Sequence, residues 1–210
     1  MDGLLIDSEP LWVKAEIEVF QKLGVPLTQE MTRQTMGLRV DEVVEHWFKR
    51  HPWKNPDHKT TAEEIDAKVV QLIAEEGRSL PGVEHAISLC KSLDLPIAIA
   101  SSSSQTLINA TTTKLGIAND IAVICSAHDE PYGKPHPSVY MTTAQKLGAH
   151  PTHCLAIEDS ANGVLAAKAA RMKCIAVPEP GMESNKLFAI ADAILPTLES
   201  LNKELINTIY

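Results

Sequence analysis

Four places in this chain of 210 residues set reactive side chains where they could act together. The apolar run 97–100 (IAIA) leads into Ser101, Ser102, Ser103 and Ser104, and CLAI at 154–157 leads into Glu158, Asp159 and Ser160. Gly133, Lys134 and Pro135 form a tight segment between two other runs, and Asp2 stands in the opening loop. Hydroxyls and an ammonium bind the oxygens of a phosphoryl group, whereas clustered carboxylates bind a hard cation such as Mg2+ that neutralises the remaining charge. Taken singly, each place has an ordinary structural explanation. Serines after a strand cap helices, acids at a helix start suit its dipole, and a lysine in a turn is usually solvated. Their joint occurrence is what points to phosphoryl chemistry.

The elements that must position these groups alternate. Short apolar runs at 96–100, 122–125, 154–157, 174–177 and 193–195 are separated by helical patterns at 83–93, 105–115, 138–147 and 162–170. That alternation predicts an α/β fold, a doubly wound parallel sheet with ligands bound at the carboxyl ends of its strands. Residues 1–10 read as a loop, and everything from 11 to about 77 reads as helix, with patterns at 11–23, at 40–48 and from Thr61. There Thr61 and Glu64 have capping-box spacing. The expected organisation is therefore a core of 1–10 and 78–210, with a helical subdomain, 11–77, inserted into it.

Composition narrows the function. With 44% hydrophobic and 22% charged residues the chain has the makings of a globular core. A net charge of −8 disfavours nucleic acid and anionic membrane as partners. No stretch approaches the roughly 18 apolar residues of a membrane helix. Cys90, Cys125, Cys154 and Cys174 make no Cys-x-x-Cys pair and sit mostly in apolar runs, so reduced core thiols and a cytoplasmic location are expected. There is no zinc-type His or Cys spacing, no Ser-hydrolase elbow, no Walker loop and no dinucleotide fingerprint. His136 reads as a turn residue and Trp47 and Trp53 as core. Arg39, in MGLR, is either an exposed helix-end charge or a group that reaches a sugar or phosphate.

In order and spacing these motifs resemble the haloacid dehalogenase superfamily, in particular its phosphatases with a small helical cap. Asp2 and Gly3 with Asp7, Ser8, Glu9 and Pro10 are similar to the end of motif one and the hinge into the cap. Ser101 is similar to the motif-two hydroxyl, Lys134 in GKPHP to the motif-three lysine, and Glu158, Asp159 and Ser160 with Asn162 and Gly163 to motif four. Within the superfamily, LLIDSEPLW, MGLR and KPHP are similar to bacterial sugar-phosphate phosphatases of the hexitol or 2-deoxyglucose 6-phosphate type.

The resemblance implies Mg2+-dependent hydrolysis of small sugar or polyol phosphates through an aspartyl phosphate. It makes Asp2 the general acid and base, its carbonyl a metal ligand, Asp159 a direct metal ligand and Glu158 the residue that orients a metal-bound water. Ser101 and Lys134 would hold the transferring oxygens, backbone amides at Gly3 and Ser102 would add phosphate contacts, and the cap, with Arg39, would recognise the substrate. A monomer is expected. A phosphoglucomutase of the same superfamily, or a phosphosugar-binding protein without turnover, are the alternative outcomes. The superfamily pattern is Asp-x-Asp-Gly, and Met1 occupies the x. The nucleophile and its strand are thus expected upstream of Met1, with two unpaired strand edges left in residues 1–210 and no aspartyl phosphate formed by them alone.

Overall fold

The computed structural model describes residues 1–182 and 185–210. Its first helix, α1 (Glu9–Lys22), begins inside the stretch expected to be loop, because Pro10 falls in the first turn, where its missing N–H costs nothing. Next come α2 (Gln29–Thr32), which the pattern did not reveal, α3 (Val40–Arg50) and α4 (His58–Glu76). Helix α4 starts three residues before the expected cap. Asp57 accepts from the Thr60 amide at 3.0 Å, while the Thr61 hydroxyl turns back onto the Asp57 carbonyl at 2.8 Å.

These helices share one core. Leu11, Ala15, Val19 and Phe20 of α1 meet Val40, Val43, Val44 and Trp47 of α3 and Ile65, Val69, Leu72 and Ile73 of α4. The three- and four-residue steps put each set on one helix face. Trp47 is 1% exposed and Trp53 packs edge-on against Phe20, so both indoles serve the core as expected.

From Pro81 onward the chain alternates. Helix α5 (Val83–Ser92) precedes β1 (Ile97–Ser101), α6 (Gln105–Lys114), β2 (Ile121–Ser126), α7 (Ser138–Lys146), β3 (Leu155–Glu158), α8 (Ala161–Ala169), β4 (Lys173–Ala176), β5 (Ala193–Ile194) and α9 (Lys203–Ile209). The ladders between these strands are parallel, as the α/β reading requires, but they form two pieces. One is β1-β2, with Ala98 opposite Val123, and the other is β3-β4-β5, with Ala156 opposite Cys174. Among the described residues β1 pairs only with β2, and β3 only with β4.

A cluster of small and aromatic residues spans both pieces: Cys125, Val139, Tyr140 and Ala144 meet Ala156, Val164, Ala167 and Cys174. The four cysteines are free, and no helix of the described residues is long and apolar enough to cross a membrane. The helical segment is fastened to the core at α4 and α6, where Leu107 joins its core and Lys114 donates to the Ala74 carbonyl at 2.7 Å. Truncating the largest side chain of the helical core, Trp47→Ala, is predicted to cost about 3–5 kcal/mol in urea unfolding. A loss below about 1 kcal/mol would show that this core does not hold the helices together.

Candidate active site at the carboxyl ends of the strands

Lys134 is no solvated turn residue. It is 7% exposed, and its ammonium donates to the Ala100 carbonyl in β1 at 3.0 Å, to the Tyr140 hydroxyl of α7 at 3.4 Å and to Glu158 Oε1 at the end of β3 at 2.5 Å. Tyr140 donates to the same carboxylate oxygen, and Ser160 Oγ reaches Glu158 Oε2 at 3.2 Å. Burial opposes ionisation of Glu158, but the Lys134 charge and the hydrogen bonds from Lys134 and Tyr140 outweigh it and hold the carboxyl below its usual range. Burial, then Glu158, pushes the Tyr140 phenol well up. The seat is tight: any side chain at Gly163 of α8 would collide with the Glu158 carboxylate.

Asp159 is next in sequence and differently placed. Burial, then the Glu158 charge, pushes its carboxyl upward. Gly3, at φ +64°, lies directly against it, in space that a Cβ would take away. Helix α8 is capped by neither acid but by Ser160, which accepts from the Gly163 amide at 3.0 Å.

Asp2 is held by three donors, Ser8 Oγ at 2.6 Å and Trp12 Nε1 at 3.2 Å on Oδ1 and Ser103 Oγ at 2.6 Å on Oδ2. The serine run divides its labour. Ser101 is buried and accepts from the Ser103 amide at 3.2 Å, Ser102 donates to the Gly37 carbonyl at 3.3 Å, and Ser104 caps α6 by accepting from the Leu107 amide at 3.3 Å.

Asp2, Gly3, Ser101, Ser102, Lys134, Glu158 and Asp159 line one cavity of about 90 Å³, well above the ~10–15 Å³ that a single water needs. Arg39 is not among its lining residues. Its guanidinium is held by Asp41 at 2.8 and 3.1 Å and by the carbonyls of Ala127 and Glu130 at 3.1 Å, where it ties the helical segment to the loop after β2.

The helical wall brings residues to which the sequence reading gave no site role: Glu9, Trp12 and Glu16 of α1, with Glu179 from the loop after β4. Steps of three, four and seven place the α1 residues on one side of the helix. The available signal was an acid at position 16 inside the apolar stripe of Leu11, Ala15, Val19 and Phe20. Burial, then Glu179 and Asp2, raises Glu9 to about 7, against the pull of Arg33. Burial, then Glu9, raises Glu16 to about 8.

Among the described residues no group of three or more His, Cys, Asp or Glu is gathered to hold a metal ion. The donor chemistry nonetheless fits a hard cation. Glu158 is spent on Lys134 and Tyr140, while Asp159 is a half-buried carboxyl that no other described side chain hydrogen-bonds, the kind of group whose charge a divalent ion stabilises.

A parallel α/β core with an ammonium, a serine hydroxyl and acids at its strand ends, closed by a helical wall, defines a hydrolase of a known kind. Residues 1–177 match the haloacid dehalogenase-like hydrolase family, and the chain belongs to it. It is 42% identical to hexitol phosphatase B of Escherichia coli K12 over 202 residues, covering 96% of this chain and 91% of that one. It is 28% identical to the phosphorylated carbohydrates phosphatase of Thermotoga maritima over 196 residues, 92% of this chain and 89% of that one. The crystal structure of CbbY from Rhodobacter sphaeroides with phosphate superposes with a TM-score of 0.90 at 27% identity, over 99% of this chain and 96% of that one.

The raised carboxyls set a pH dependence. Glu9 and Glu16 hold their protons to about 7 and about 8 when folded, against 4.5 as the ordinary value. Folding thus binds protons that the unfolded chain has released, and the stability this gives is whole below 4.5 and lost as pH rises to about 8. His46, lowered by burial from 6.5, opposes the trend only near and below that value. Urea midpoints are predicted to fall between about pH 6.5 and 8.5, with Glu16→Gln flattening the fall. A rise across that window would contradict the assignment.

Proposed function

We propose that this chain carries the phosphoryl site and substrate chamber of a Mg2+-dependent phosphomonoesterase for small sugar or sugar-alcohol phosphates. The observation that carries the reading is the convergence of Lys134, Ser101, Asp2 and Asp159 on one cavity, in a chain similar to a hexitol phosphatase. In this reading residues 1–10 and 78–210 form the reaction floor and 11–77 the cap that excludes water.

Lys134 Nζ and the Ser101 hydroxyl hold the phosphoryl oxygens, assisted by the amides of Gly3 and Ser102, and so stabilise charge that builds as the ester bond breaks. Asp159 and the Asp2 carbonyl would hold Mg2+, with Glu158 behind them, and the ion would offset the charge of the phosphoryl group. The three donors on Asp2 fix its carboxyl, and with Asp2 protonated at Oδ2 and Ser103 displaced from it, the Oδ2–H would donate to the ester oxygen and give its proton to the leaving alcohol.

The carboxylate that attacks phosphorus is, by the superfamily's Asp-x-Asp spacing, the residue two before Asp2. A strand ending in that carboxylate would pair with the second edges of β1 and β3. With that segment present and Mg2+ added, phosphate release from sorbitol 6-phosphate or 2-deoxyglucose 6-phosphate is predicted, and Asp159→Ala should lower it by roughly a hundredfold or more. Residues 1–210 alone should bind these esters without turnover. Equal turnover by the two forms, or activity unchanged in Asp159→Ala, would contradict the reading.

A further inference from the structure

The α1 wall of the cavity contains a group that none of these steps uses. Glu16 is 7% exposed and lines the cavity, and its Oε2 has no hydrogen-bond partner among the described residues. Its neighbours along the buried side of α1 are Leu11, Ala15, Val19 and Phe20, so packing alone would be served by an apolar residue. A buried carboxyl oxygen left unpaired is costly, and a donor brought by a ligand removes that cost.

Position narrows what the donor belongs to. Trp12 donates to Asp2, and Glu16 follows Trp12 by four residues, about 6 Å further along the helix at 1.5 Å per residue. With the ester oxygen at Asp2, that is the reach of the substrate's carbon chain and not of its phosphate. Charge narrows it further. Glu9 acts on Glu16, and Glu9 itself is faced by Glu179, Asp2 and Asp7, with Arg33 pulling the other way. A second phosphate would find no basic side chain among Glu9, Trp12, Glu16 and Glu179 on this wall, whereas hydroxyls meet carboxyl groups that pair with them. Because burial raises Glu16 to about 8, its carboxyl at neutral pH can donate a hydrogen bond as well as accept one, which suits a hydroxyl.

We infer that Glu16 hydrogen-bonds a hydroxyl on the body of the substrate, so that the cavity selects a monophosphorylated polyol or sugar over a bisphosphate. This rests on the phosphomonoesterase reading and separates it from a mutase, whose turnover requires a bisphosphate in the same chamber. Glu16 is a specificity-determining residue here and takes no part in the bond-breaking step.

Calorimetric titration of residues 1–210 with inorganic phosphate, sorbitol 6-phosphate and fructose 1,6-bisphosphate tests it, since binding is read without turnover. The monophosphate should bind roughly tenfold or more tightly than the bisphosphate. In Glu16→Leu the ratio of Kd for sorbitol 6-phosphate to Kd for inorganic phosphate should rise roughly tenfold, and in the isosteric Glu16→Gln by less than about threefold. An unmoved ratio in Glu16→Leu, an equal rise in both variants, or a bisphosphate that binds as tightly as the monophosphate overturns the inference while leaving the phosphoryl site standing. A wild-type chain that binds neither phosphate nor sorbitol 6-phosphate overturns the phosphomonoesterase reading and this inference together.

Discussion

One buried ion pair, Lys134 with Glu158, holds the rest of this structure in register. Desolvating both charges is expensive, and the attraction between them returns that cost only when every remaining donor and acceptor is satisfied. The surroundings meet the condition: Ala100 and Tyr140 take the other contacts of the ammonium, and Tyr140 and Ser160 donate to the carboxylate. The pair also has a mechanical consequence. Ala100 belongs to the β1-β2 piece and Glu158 to the β3-β4-β5 piece, so a single side chain from a turn bonds to both. Gly163, where a side chain would collide with Glu158, is part of the same constraint.

From that pair the electrostatics of the chamber follow. Glu158, neutralised by Lys134, leaves the adjacent Asp159 without an ion-pair partner of its own among the described residues, which suits the cation role proposed for it. Asp2, tied by Ser8, Trp12 and Ser103, couples the first turn of the chain to both α1 and the serine run. The α1 wall is acidic, with Glu16 buried and Glu9 half-buried. In a protein with a net charge of −8, one ammonium and the serine hydroxyls thus share a cavity with acids from α1 and the loop after β4.

Much of this was legible in the sequence, and the exceptions have local causes. Parallel strands announce themselves as short apolar runs because both faces are covered, and Ser101, Glu158 and Asp159 follow those runs directly. The environment of Lys134 was not legible from GKP, whose composition is that of a surface turn; its burial depends on Ala100, Tyr140 and Glu158, which lie 34, 6 and 24 residues away. The start of α4 was misplaced because Thr61 and Glu64 mimic a capping box, while Asp57 bonds the Thr60 amide and captures the helix earlier. For Arg39 both readings were open, and the backbone carbonyls of Ala127 and Glu130 hold it in this structure. Glu16 was hidden because one acid on an apolar face looks like noise until the cavity beside it is seen.

The most direct test of the account is a double-mutant cycle on the buried pair, with urea unfolding of Lys134→Met, Glu158→Gln and the double variant measured under one condition. If the pair ties the two sheet pieces together, each single variant is strongly destabilised and the double variant recovers part of the loss, with a coupling energy of roughly 1.5 kcal/mol or more. Losses that add to within about 0.5 kcal/mol would show that Lys134 and Glu158 act independently and would contradict the account.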